Sequence, residues 1–360
     1  RFGRHLPGSS GSVLRAAARV VTDPLEMAGY RRAAREADIV HFQWLALPAV
    51  DSRLLPDRPL VITAHDVIPR EREGLPLATE VLVLDNASQD GSAQAAREHP
   101  AVDRVIETGR RRGKAENDTE ILQRAAGRFA LMLNEDSELL PGATMALYEA
   151  LAGDAGAGAA GARLLRPDGT PQPSAWAFPG PATALASAVF VHRWTTVQSR
   201  GTATRPVDWA QSAALMVRPA AVEEVGWLDP DFFVYSDEVD LCRRLADHGW
   251  QTLYVPSARA IHHEQLSTGS VPERRIVEMS RNRELYMRKH HSAAAAAAVR
   301  WLTAWAYAVR ALAATVLPRH DPARYMAHVR ATLNPGDGEG LREAAEEFNR
   351  QAAAGSSPTG

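Results

Sequence analysis

The chain has 360 residues, 45% of them apolar and 23% charged, an ordinary globular composition with length for about two domains. A formal charge of −2 leaves no basic excess for gripping a phosphate backbone, so composition makes no case for nucleic acid as a partner. A single cysteine, Cys242, excludes an intramolecular disulfide and any multi-cysteine zinc site.

Of the 41 basic residues only Lys114 and Lys289 are lysine, a skew that, with the abundant alanine, reads as coding bias. The chain starts at Arg1 with no methionine and no charged-then-apolar leader, so its natural N-terminus is expected upstream. The composition suits a soluble or peripherally attached intracellular protein. Residues 1–36 are rich in Arg and Ala, with a turn-forming stretch at Pro7–Ser12 and a helix expected near Met27–Glu36. Short apolar runs bounded by turn residues follow at Ile39–Phe42, Leu60–Ala64 and Val81–Leu84, the pattern of strands buried on both faces. Further strands are expected at Arg104–Thr108, Phe129–Asn134 and Thr252–Pro256, with helical patterns between them. That alternation predicts an α/β fold, a mostly parallel sheet flanked by helices.

Ala293–Leu317 differs in kind: alanines lead into Trp301, Leu302, Trp305, Tyr307 and Leu312, broken by Arg300 and Arg310. Two arginines in one lipid-exposed span are costly, which argues against a membrane crossing. Two readings stay open, a helix lying in the membrane interface behind the basic stretch Arg281–His291, and an Ala-rich helix packed on the domain. Beyond Pro335 a frayed helix and tail are expected.

Three constellations carry chemistry. Val81–Ser92 is a strand running into Asp85, followed by Asn86, Ser88, Asp90 and Gly91. A carboxylate there sits at the C-terminal edge of a parallel sheet, where open α/β sheets bind ligands, although a plain strand-to-helix turn has the same look. Phe129–Glu138 repeats the theme, with Glu135, Asp136 and Glu138 suited to a hard divalent cation bridging a diphosphate. Gly226–Trp250 places Asp237, Glu238 and Asp240 at the start of an amphipathic helix, where the helix dipole alone favours acids. Phe232, Phe233 and Tyr235 just before them can desolvate a carboxylate and raise its pKa, as a general base requires.

Taken in order, Asp85-Asn86-Ala87-Ser88, Asn134-Glu135-Asp136, Tyr235-Ser236-Asp237-Glu238-Val239-Asp240-Leu241-Cys242, Gly249-Trp250 and His262 resemble family 2 glycosyltransferases of the GT-A fold. The nearest flavour is the rhamnosyltransferase-like branch acting on bacterial cell-surface glycans. The resemblance runs from about Glu80 to His291 and includes the phrases Gly161–Gly169 and Trp209–Ala214. It implies that Asp85, with Asn86, approaches the nucleotide, that Lys114 and Asn117 contact the donor, and that Asp136 binds Mn2+ or Mg2+ with Glu135 nearby. His262 resembles the histidine that completes this metal site. The family's usual Glu-Asp pair is reversed as Asp237-Glu238, which points by position to Glu238 as the base and leaves Asp237 as the alternative. The implied reaction is an inverting transfer from a nucleoside-diphosphate sugar, dTDP- or UDP-linked, to a hydroxyl of a glycan or lipid-linked acceptor. The implied setting is the cytoplasm, with peripheral contact at the inner face of the cell membrane.

One departure stands out. The family's opening strand and helix before Asp85 are missing, and Ala37–Glu71 instead resembles part of the N-terminal half of family 4 glycosyltransferases of the GT-B fold. That piece is too short for a GT-B enzyme, which leaves His65 and Asp66 without a partner domain. The expected organisation is therefore residues 1–76 as a partial GT-B-like segment whose Leu60–Ala64 supplies the missing first strand, 77–291 as the GT-A domain, 292–335 as amphipathic helices, and 336–360 as a flexible tail. A competing expectation is an inactive fused or truncated module that binds a glycan or a protein. A sugar nucleotidyltransferase would need a Gly-rich triphosphate loop near the N-terminus, and none is present.

Overall fold

The computed structural model describes residues 40–42, 60–62, 80–100, 102–263, 272–317 and 320–355. The helix expected at Met27–Glu36, His65 and Asp66 lie outside them. Strands β1 (Val40–Phe42) and β2 (Leu60–Ile62) pair in parallel with each other in a sheet of their own. Among the described residues the register of β2 is with β1.

The Asp85 strand β3 (Leu82–Asp85) pairs in parallel with β4 (Arg104–Glu107), and helix α1 (Ser92–Glu98) connects them. Helix α2 (Lys114–Arg124) follows and leads to β5 (Ala130–Leu133). The main sheet is built on β5, β6 (Ser137–Leu139), β7 (Ala157–Leu165), β8 (Pro171–Gln172), β10 (Arg205–Val207), β12 (Ala214–Val217) and β13 (Gln251–His262). Its path runs β10-β13-β7-β12-β5, with β6 laddered to β13 and β8 to β7. Among this sheet's ladders only that of the long strands β7 and β13 is parallel, and β10–β13, β6–β13, β8–β7, β12–β7 and β12–β5 are antiparallel, so the sheet is mixed. Two short strands, β9 (Ala175–Trp176) and β11 (Trp209–Ala210), form a separate antiparallel pair.

Strand alternation sorts this sheet's side chains into two cores. Leu131, Leu133, Ala160, Ala162, Met216, Leu253 and Val255 face helix α3 (Ala143–Gly153), which inserts Leu147 and Leu151. Met132, Ala159, Leu215, Val217 and Tyr254 face the other way. There they meet Leu122 of α2, Val222 of α6 (Pro219–Glu224), and Leu241 and Leu245 of α7 (Asp237–Asp247). Helices α4 (Pro181–Ala188) and α5 (His192–Thr195) precede β10. After β13 come α8 (Pro272–His290), α9 (Ala293–Ala314), α10 (Pro322–Leu333) and α11 (Leu341–Gly355). Among the described residues no helix is long and apolar enough to cross a membrane.

Strand β7 escaped the sequence reading because Ala157–Leu165 is mostly Ala and Gly, residues of low strand preference. Its small side chains are a packing requirement. A Cβ on Gly161 would lie 2.4 Å from the Cβ of Ala210, so β11 can cross this strand only over a glycine. Gly161→Ala should destabilise the fold by ~1–3 kcal/mol through overpacking. Ala210→Gly added to it should restore part of the loss, and urea unfolding of the single and double variants measures the coupling.

Candidate functional site

The acids expected to do chemistry lie at element ends. Asp85 closes β3, is buried, and accepts a hydrogen bond from the Ser88 amide at 3.1 Å through Oδ2. Its Oδ1 is buried without a hydrogen-bond partner among the described residues, an acceptor available to a ligand. Asn86 is occupied differently. Its amide donates to the Arg112 carbonyl at 2.9 Å and accepts from the Arg112 amide at 2.8 Å, which clamps the loop entering α2. Ala87 beside it has φ 58°, a left-handed conformation that a non-glycine residue adopts at a cost.

Helix α2 starts against the loop that precedes α7. The Lys114 amide donates to the Phe233 carbonyl at 2.6 Å, and Gly113 permits the approach, since a Cβ there would lie 2.7 Å from that oxygen. The Lys114 ammonium pairs with Asp118 one turn on. Asn117, on the same helix face, is fully buried with neither amide atom hydrogen-bonded among the described residues.

Asp136 and His262 meet. His262 ends β13 opposite Ser137 of β6, and the next amide, His263, donates to the Asp136 carbonyl at 2.8 Å. This register sets His262 Nε2 3.0 Å from Asp136 Oδ1, close enough for an ion pair but not aligned as a hydrogen bond. Both side chains are nearly sealed from solvent, and Glu135 is half-buried next to them. Among the described residues no third His, Cys, Asp or Glu joins them in a cluster that could hold a metal. A buried carboxylate beside an imidazole nitrogen is a donor set whose chemistry fits a divalent cation. Gln172 Nε2 contacts His262 Nδ1 at 3.1 Å. Turning that amide over would let Nδ1–H donate to its oxygen and leave the Nε2 lone pair facing Asp136, the arrangement a metal-ligating histidine uses. Sequence reasoning missed Gln172, although its place between Pro171 and Pro173, which hold it extended, was a usable signal.

The third group stands at the start of α7. Tyr235 and Ser236 have φ 69° and 64°, two successive left-handed residues ahead of Asp237. Neighbouring elements hold this strained turn: Asn282 of α8 donates to the Val234 carbonyl at 2.6 Å, and Arg275 donates to the Tyr235 hydroxyl at 3.0 Å. Asp237 is 1% exposed and Glu238 keeps partial access to solvent. Burial raises the Asp237 carboxyl, Lys114 opposes the shift, and Asp118 adds to it. Burial and the adjacent Asp237 push Glu238 well above the ordinary carboxylate range, again against the pull of Lys114. Tyr235 ties this group to the previous one. Burial raises its phenol, Arg275 opposes, and the charges of Glu278 and Asp136 add to the rise.

Asp240, one turn into α7, has a different role. It is fully buried and meets Arg244 at 2.7 Å, His290 at 2.7 Å and Lys289 at 2.8 Å. Burial alone would raise its carboxyl, but the His290 hydrogen bond, Arg244 and Lys289 outweigh it and hold the pKa down at about 2.

The chain belongs to the glycosyltransferase-like family 2, whose family model matches residues 76–308. It is a glycosyltransferase. It is 34% identical over 260 residues to an N-acetylglucosaminyl-diphospho-decaprenol L-rhamnosyltransferase of Mycobacterium tuberculosis, covering 66% of this chain and 84% of that one. A shorter stretch of 57 residues is 37% identical to the rhamnosyltransferase WbbL of Escherichia coli, over 16% of this chain and 22% of the relative. Among solved structures, a mannosyltransferase from Pyrobaculum calidifontis in complex with GDP-Man and Mn2+ overlaps 95% of this chain and 94% of its own. Its identity is 18% and its TM-score 0.43, an overlap too loose to bear on the site. The family match starts at residue 76, and the family 4 resemblance of Ala37–Glu71 gains no support.

Asp240→Asn should cost about 2 kcal/mol of stability near neutral pH, on the order expected for a carboxylate held about two units below its unfolded value. A depressed pKa contributes stability above the unfolded value and loses it as pH falls toward 2. The gap between variant and wild type in thermal unfolding should therefore narrow from pH 5 downward.

Proposed function

We propose that this glycosyltransferase is a metal-dependent, inverting enzyme that transfers a sugar from a dTDP- or UDP-linked donor to the hydroxyl of a lipid-linked or glycan acceptor. The observation that carries the reading is the carboxyl pair at the start of α7, with one member sealed, one partly accessible, and both raised by burial. Glu238, the accessible member, accepts the proton of the acceptor hydroxyl as its oxygen bonds to the anomeric carbon. The bond to the diphosphate oxygen breaks on the opposite face, and the configuration inverts. Asp237 sits behind Glu238 and keeps that carboxyl's pKa high, so the base is strong enough to take the proton. Lys114 balances the pair.

Asp136 and His262 would hold the divalent cation, Mn2+ or Mg2+, with Glu135 alongside and Gln172 orienting the imidazole. Such an ion supplies charge stabilisation for the departing diphosphate. Asp85 offers its unpartnered Oδ1 to the nucleotide, and Asn86 positions the loop that leads to Lys114 and Asn117. The mycobacterial relative is named for rhamnosyl transfer to a decaprenol-linked acceptor, which supports a rhamnosyl donor and a lipid-linked acceptor here. An acceptor of that kind places the enzyme peripherally at the inner face of the cell membrane. The competing reading, an inactive binding module, is disfavoured by the intact Asp136–His262 and Asp237–Glu238 pairs.

The test is Mn2+-dependent hydrolysis of dTDP- and UDP-sugars together with metal-dependent nucleotide binding. Asp136→Ala should abolish the metal dependence, and Glu238→Gln should lower turnover about a thousandfold while sparing nucleotide binding. Absence of both turnover and metal-dependent binding in the wild type overturns the proposal. Because Glu238 must be ionised to act and its pKa is raised, the acidic limb of the rate profile should lie above the ordinary carboxylate range. A raised carboxyl contributes stability below its unfolded pKa and loses it as pH rises through the folded one. Asp237→Asn should consequently match or exceed wild-type melting temperature at neutral pH while losing activity.

A further inference from the structure

Outside the site, a cavity of about 440 Å³ opens between α4 and α5 on one side and α8, α9 and α10 on the other. Its lining brings together Arg283 of α8, Arg310 of α9 and His192 of α5, with hydroxyls from Ser187, Thr303, Tyr307 and Tyr325. Among the described residues no carboxylate lines it, and the surrounding sequence explains why. Gly169–Val207 and Leu285–His320 contain no aspartate or glutamate at all, in a chain with 43 acids. Arg283 has no ion pair among the described residues, because the neighbouring Glu284 is taken by Arg288 and Arg300. Arg310 donates to the Ala306 carbonyl at 3.0 Å and lies over the rings of Phe190 at 4.9 Å and Tyr307 at 5.7 Å, which fixes the guanidinium at the cavity wall.

Two imidazoles record the local field. The Nδ1 atoms of His192 and His328 are buried without hydrogen-bond partners among the described residues, and His328 stacks on Tyr307 at 4.3 Å. Burial lowers the pKa of both, and arginines lower it further: Arg310 and Arg193 for His192, and Arg283, Arg324 and Arg310 for His328, which falls to about 4. A cavity that concentrates guanidinium charge with hydroxyl donors and no counter-carboxylate is chemically complete only with an anion, and this donor set suits the oxygens of a phosphate.

The helices that wall the cavity also carry the largest exposed apolar side chains of the described residues. On α9, Trp301, Trp305 and Leu312 follow helical spacing along one face, with Val316 just past the helix end, and Trp305 and Leu312 are 60% and 73% exposed. Leu185 and Val189 extend the apolar surface along α4, and Trp194 adds to it from α5.

We propose that the cavity between α4–α5 and α8–α10 binds a phosphate group, and that an anionic phospholipid supplies it while exposed aromatic and aliphatic side chains of α4, α5 and α9 rest in the bilayer surface. The glycosyltransferase reading stands or falls separately, since none of these residues belongs to the Asp136 or Glu238 groups.

The probes are vesicles of phosphatidylcholine with phosphatidylglycerol, vesicles of phosphatidylcholine alone, and inorganic phosphate, all in chelator so that a metal-dependent nucleotide site stays silent. The wild type should float with the anionic vesicles and not with the neutral ones. Arg283→Gln combined with Arg310→Gln should weaken that partitioning roughly tenfold or more. Arg283→Lys, which keeps the charge, should retain most of it and guards against an unfolded double variant. Melting temperature and Mn2+-dependent nucleotide binding should not change in Arg283→Lys. Binding of inorganic phosphate without vesicle binding overturns the lipid assignment. Vesicle binding unaltered by the arginine substitutions, or no binding to any probe, overturns the site.

Discussion

The structure hinges on how β13 changes register against β7. From Thr252 to Val255 the two strands pair in step, and then Pro256, Ser257 and Ala258 are skipped before Arg259 takes up Arg163. A proline has no N–H to give a ladder, so the break falls where the backbone has least to lose. The displaced second half of β13 then meets β6 as well, pairing Ala260 with Leu139, Ile261 with Glu138 and His262 with Ser137. A one-residue slip in that ladder would turn His262 to the other face of the strand and separate it from Asp136. The candidate metal pair is thus a consequence of sheet register, which buried β7 enforces along its length.

The second cluster is held at an energetic cost. Asp237 and Glu238 are raised by burial, Asn117 is buried without partners among the described residues, and Tyr235 and Ser236 occupy left-handed conformations. Each of these features is unfavourable by itself, on the order of 1–3 kcal/mol. Asp240, a few residues along the same helix, shows what the fold does with an acid kept for stability: Arg244, Lys289 and His290 surround it and its pKa drops to about 2. The two carboxyls on adjacent turns are treated oppositely although Asp237 and Asp240 are equally sealed, so it is the partners and not burial that set them apart.

What the sequence made legible follows from the range of the forces involved. Strands β3, β4 and β5 were readable because apolar runs between turn residues are local signals. Strand β7 was not, since its Ala and Gly content answers to β11 and to packed helices far away in sequence. The site acids were legible as types at element ends, and the ordered motifs gave the family. Partnership was not legible: Asn86 as a clamp for Arg112, Gln172 against His262, and Lys114 balancing Asp237 and Glu238 all depend on contacts across long loops. The left-handed turn at Tyr235–Ser236 was also hidden, because neither residue type favours that conformation and α8 supplies what holds it.

The near-neutral net charge conceals a segregation. Carboxyl groups gather at the ends of β3 and β5 and at the start of α7, while the acid-free segments fold together as α4, α5 and α9, with Arg310 at the cavity between them. Charges interspersed at random would screen one another within about a Debye length. Gathered in separate segments, the acids suit a cation at the strand ends and the arginines suit an anion at the cavity. The largest exposed apolar side chains follow the same division, since Trp194, Trp301 and Trp305 all lie within the two stretches that lack aspartate and glutamate. The proposed roles, a nucleotide-sugar site among the acids and a lipid contact at the acid-free helices, would both draw on that separation, and two stretches without aspartate or glutamate are the simplest way for a sequence to specify it.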